Sequence, residues 1–133
     1  MYLRDFPGDI SESASPMTEA ETRLSNGFGL LVVGIMVGIM VWSASEFGPE
    51  RGVLLMILHA YLLFQIFNVF DVLMDWVLLA RIDPAHPPIA GTEHAPGWRN
   101  YGFHAVKALK GSVLGLPVAA LAGGFASFWQ AMV

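Results

Sequence analysis

The sequence has no cysteine among its 133 residues, so disulfides, thiolate metal ligands and a cysteine nucleophile are all excluded. Charge is scarce too. Only 14% of residues are Asp, Glu, Lys or Arg, against about 25% in an ordinary soluble domain. Basic residues are the scarcest, seven against eleven acids, and they are scattered along the chain. Phosphate contacts need clustered Lys and Arg, so a nucleic-acid partner is excluded. Catalytic signatures are absent as well. There is no Gly-x-Ser-x-Gly, no phosphate-cradling loop and no His-Glu-x-x-His.

What is present is apolar residues, 55% of the chain, gathered into three long runs. A helix needs about 20 apolar residues to cross a hydrocarbon core about 30 Å thick. Residues 27–45, 53–80 and 111–133 satisfy that length and predict three transmembrane helices in an all-α membrane protein. The second run is overlong and must tilt or protrude. Pro117 is a candidate kink in the third. A cleaved signal peptide ending near Ser43-Ala44-Ser45 is the rival reading of the first run, but the leader before it is long and acidic rather than short and basic.

The segments between the runs are polar. Residues 1–26 are acidic, and Ser15-Pro16 reads as the start of a short surface helix over about 16–25, interrupted at Asn26-Gly27. Residues 82–97 hold four of the eight prolines and read as a loop. From Trp98 to Lys110, polar and apolar residues separate onto two helical faces, which predicts an amphipathic interfacial helix before the third span. Six of the seven basic residues fall in the N-terminal segment and in 81–110, and only Arg51 falls on the other side. By the positive-inside rule the N-terminus and the 81–110 segment are cytoplasmic and the C-terminus is outside, most simply in a bacterial inner membrane.

One stripe stands out within the second run. Tyr61, Gln65, Asn68, Asp71 and Asp75 recur at spacings of four, three, three and four, so they share one helical face. Two carboxylates on a lipid-facing surface would cost a few kcal/mol each, so this face meets other helices, another subunit or water. The candidate partners are Arg99, His104, Lys107 and Lys110. The stripe reads either as a structural seam or as a carboxylate–histidine site (Asp71, Asp75, His104) for protons, an ion or a metal.

Other histidines are weaker candidates. His59 lies inside the second run, where it is either an ordinary hydrogen-bonded interface residue or an axial ligand for haem or a chlorophyll-type magnesium. Asp83, His86, Glu93 and His94 could converge on a metal in the loop, but their spacing matches no standard zinc pattern. No cofactor is required by the sequence. Finally, Gly34-x3-Gly38 in the first run, and Gly111, Gly115, Ala119 and Gly123 in the third, are small-residue ridges of the kind that let helix backbones approach closely. The expected function is a non-catalytic accessory or assembly subunit of a larger membrane complex, its partners being the bilayer and other subunits or copies of itself. The alternative is a small oligomeric transporter or membrane enzyme built on Asp71, Asp75 and His104.

Overall fold

In a computed structural model the chain is all-helical in class, with no strand among the described residues, which are 6–47, 49–83 and 85–132. Arg4, which enters the topology count, and Val133, the last residue of the predicted third span, lie outside them. The elements are α1 (Gly8–Ser13), α2 (Glu19–Glu46), α3 (Val53–Arg81) and α4 (Tyr101–Met132), with 3-10 turns at Pro49–Arg51 and Pro96–Arg99. Helices α2, α3 and α4 are each long and apolar enough to cross a membrane, as a multi-pass membrane protein requires.

Two predicted boundaries move. The surface helix over 16–25 is not a separate element, because α2 runs unbroken for 28 residues through Asn26 and Gly27. Its cap is Thr18 rather than Ser15. Thr18 accepts from the Glu21 N–H, and the Glu21 carboxylate accepts from the Thr18 N–H, a reciprocal capping box. One glycine costs a helix only about 1 kcal/mol, less than exposing unpaired backbone groups in hydrocarbon. The interfacial helix over 98–110 likewise merges with the third span into α4, 32 residues long with Pro117 inside it. Gly111 does not break α4, since it is the point where Asn68 of α3 approaches. Trp98 and Arg99 precede this helix, in the 3-10 turn. The second span matches its prediction, α3 covering Val53–Arg81.

The helices meet along two small seams. Met40, Ala60, Ala119 and Ala122 are buried together, and Ala44, Met56 and Ala126 form a second cluster nearer the turn between α2 and α3. A third cluster lies at the opposite end of the bundle and joins chain segments far apart in sequence. There Phe6, Ile10, Leu79 and Trp98 are buried against Ile82, Ile89 and Tyr101. Trp98 is fully buried and its indole N–H donates to the Thr92 carbonyl at 3.1 Å. The Gly97 N–H donates to Asp9 Oδ2 at 2.7 Å, which ties α1 to the loop before α4.

Most of the remaining apolar surface is exposed, as expected of side chains whose solvent is lipid. Only Met40 and Ala44 of α2 are buried, both in its second half. Leu24, Phe28, Leu30, Leu31 and Val32 of its first half are exposed.

Candidate functional site: an α3–α4 polar seam ending in a histidine–carboxylate pair

The predicted stripe on α3 faces α4. Asn68 Nδ2 donates to the Ala108 carbonyl and to Ser112 Oγ, both at 2.9 Å. Ser112 Oγ donates to Gln65 Oε1 at 2.8 Å, and the Tyr61 hydroxyl donates to the Ser112 carbonyl at 3.3 Å. Tyr61, Gln65 and Asn68 of the stripe thus bond across the interface, and Asp75 does so as well. Its Oδ2 lies 2.7 Å from Nδ1 of His104, whose side chain is only 4% exposed. Period geometry explains the match. Positions three and four apart on each helix face one another, so Asn68 and Asp75 on α3 meet residues 108–112 and 104 on antiparallel α4.

The seam relies on the absence of bulk on α4. A Cβ at Gly115 would run into the Phe64 ring, and one at Gly123 would lie 2.6 Å from the Ile57 backbone. Ala119, between them, is fully buried. The α4 ridge therefore serves packing within the chain. The Gly34-x3-Gly38 ridge does not, because added Cβ atoms there meet nothing within 4 Å.

A carboxylate accepts and cannot donate, so the His104 nitrogen facing Asp75 carries the proton. In the neutral ring Nε2 is then an acceptor, and it is buried with no hydrogen-bond partner. Phe6 and Phe103 pack edge-on against this ring, with centroids at 6.5 and 5.4 Å. His104 also lines a cavity of about 1050 Å³ together with Asp71, Asp75, Lys107, Glu21 and Phe28. That cavity separates the first half of α2 from the α3–α4 hairpin.

The other candidates are dispersed. Asp71 and Lys107 share the cavity wall, and Lys110 lines a smaller recess with them, while Arg99 is exposed on the turn before α4. His59 Nε2 is 2.9 Å from Ser43 Oγ and its ring stacks on Phe47 with centroids 4.5 Å apart. The loop quartet does not converge. Asp83 pairs with His86 at 2.9 Å, and Glu93 instead accepts from the Gly91 N–H. Among the described residues no group of three His, Asp or Glu side chains is placed to hold a metal. The two paired loop carboxyls are held below their usual range by these hydrogen bonds, Asp83 chiefly by His86 and Glu93 by backbone N–H groups.

Sequence reasoning missed three contributors. Ser112 is the hub of the seam, but a lone serine in an apolar run carries no signal. Phe6 and Asp9 act through contacts with residues about ninety positions away. No sequence signal marks this contact, although the two segments meet closely enough that a Cβ at Gly97 would sit 2.6 Å from Asp9 Oδ1. Comparison of the chain with protein families, curated proteins and solved structures returns no match.

Proposed function

We propose that this chain is a small accessory or assembly subunit of a larger membrane complex, such as an energy-transducing assembly of the bacterial inner membrane. It contributes helix packing rather than chemistry. The observation that carries this reading is the contrast between its two small-residue ridges. The one on α4 is filled by α3, whereas the one at Gly34 and Gly38 on α2 is open. Close-approach ridges gain stability only when another helix lies in them. The polar seam supports the same reading, because its hydrogen bonds join α3 to α4 and hold the hairpin together. The excess of basic residues supports an orientation with the N-terminus and the loop before α4 in the cytoplasm and the C-terminus outside.

The experiment is purification of the tagged chain from its native membrane in mild detergent, beside a Gly34→Leu, Gly38→Leu variant. A fixed-stoichiometry partner that is lost in the variant supports the proposal. A clean homo-oligomer with no other subunit overturns it.

The His104–Asp75 pair favours a second reading, proton or ion handling at Asp71, Asp75 and His104 by an oligomer of this chain. Three spans are few for a self-contained pathway, so several copies would be needed. Replacing both Asp71 and Asp75 with Asn and measuring proton-linked flux in vesicles tests it. A loss of stability without any change in flux rejects it.

A further inference from the structure

The cavity between α2 and the hairpin has a composition unlike the rest of the surface. Three carboxylates, from Glu21, Asp71 and Asp75, face one ammonium, that of Lys107. Such a wall disfavours an anion and favours a cationic head. Apart from His104 and two serines, Ser15 and Ser25, the rest of the lining is apolar, with Met17, Leu24 and Phe28 along the α2 side. Phe28 is about 14 Å along α2 from its first residue, so the apolar wall runs toward the bilayer interior. The shape and chemistry are those of an amphiphile site, a charged end beside the helix termini and an apolar end among the helices.

His104 narrows the choice of head. Its Nδ1 is committed to Asp75 at 2.7 Å, and its Nε2, an acceptor in the neutral ring, is buried without a partner. A buried acceptor is destabilising until a donor reaches it. The donors of α4 and the loop leave that atom unsatisfied, so a ligand N–H would complete it. The ring of Phe6, edge-on to the imidazole, is itself part of the cavity wall.

We propose that this cavity binds an amphiphile with a primary ammonium head and an apolar tail, the head donating to His104 Nε2 beside Asp71 and Asp75. The proposal stands on the His104 cavity alone and does not depend on what covers the Gly34–Gly38 face. Two sources share that chemistry, the ethanolamine headgroup of a bilayer lipid and a free alkylamine.

The test uses the full chain in phosphatidylcholine nanodiscs, titrated calorimetrically with octylamine, octyltrimethylammonium and octanoate, with empty nanodiscs subtracted. Octylamine should bind saturably. The quaternary analogue, which keeps the charge but has no N–H, should bind at least 10-fold more weakly, and octanoate should not bind. His104→Asn and Asp71→Asn should each weaken octylamine at least 10-fold, and a thermal melt without ligand identifies any variant that has simply failed to fold. If one variant misfolds, the other and the analogue series still decide. Equal binding of the three octyl probes, or octylamine binding unchanged in the folded variants, overturns the proposal. Native mass spectrometry from mixed phosphatidylcholine–phosphatidylethanolamine discs separates the sources. A retained ethanolamine lipid that octylamine displaces assigns the site to lipid, and octylamine binding indifferent to that lipid assigns it to a free amine.

Discussion

His104 and Asp75 share one hydrogen bond but not one environment, the imidazole being 4% exposed and the carboxylate 32%. Deleting either partner leaves the other in a poor state, so the two losses should not add. A double-mutant cycle of Asp75→Ala and His104→Ala, followed by denaturation in detergent, should give a coupling of about 1–3 kcal/mol. Additive effects would mean that the pair is incidental. Gly97 is decided by steric contact instead. A methyl there lies within 2.9 Å of both Asp9 carboxylate oxygens and Ile10 Cδ1. Gly97→Ala should therefore release α1 from the loop, costing about 1–3 kcal/mol and exposing residues 6–14 to protease while the three long helices persist. Trp98 fluorescence reports the same event, since the indole is fully buried beside Phe6 and Ile10.

Among the elements, α3 and α4 form the firmest pair, joined by five side-chain hydrogen bonds from Tyr61, Gln65, Asn68 and Asp75 to α4. The two small ridges make a controlled comparison. Gly123→Leu should disrupt the hairpin, because its side chain would meet the Ile57 and Met56 backbone, and a thermal melt should fall by several degrees. Gly34→Leu should leave the isolated chain's melt unchanged, because that face is open. The loop before α4 carries a pH-dependent turn. His86 and the Ala85 N–H lower the Asp83 carboxyl below its usual range in the folded loop. A group lowered on folding stabilises above its unfolded value and loses that contribution as pH falls through the folded one. The protection of the Ala85 amide, taken relative to its intrinsic exchange rate at each pH, should thus hold at neutral pH and fall on acidification below the usual carboxylate range. Asp83→Asn should abolish that acid step.

For the whole molecule, bilayer thickness sets the arrangement. Helix α3 has 29 residues, about 43 Å, against a core of about 30 Å, so roughly 13 Å must tilt or protrude. Asp75 lies six residues, about 9 Å, from the Arg81 end, so an excess taken at that end puts the His104 pair near headgroup depth. Orientation is testable because the chain has no native cysteine. In intact cells a membrane-impermeant maleimide should label Glu50→Cys and spare Ala90→Cys, both at exposed positions. The reverse pattern would invert the topology and move the cavity to the outer leaflet.

The sequence alone determined the membrane class, three spans, the bounds of α3 to within one residue and the face on which its polar residues lie. These follow from hydropathy and helical period, which are properties of neighbouring residues. It also indicated that His104 was among the partners of the acidic pair. Only the tertiary structure decided that Asp75 takes His104, that Ser112 links Asn68 to Gln65, and that the α4 ridge is filled while the α2 ridge is open. It also joined Phe6 and Asp9 to Trp98 and Gly97 and drew the first half of α2 away from the hairpin to form the cavity. Those outcomes depend on how each helix rotates about its axis against the others. Apolar patterning inside a bilayer sets that rotation weakly, because lipid is as good a neighbour for leucine as another helix. Close glycine contacts and buried hydrogen bonds set it instead, and both are pairings between residues that sequence distance does not reveal.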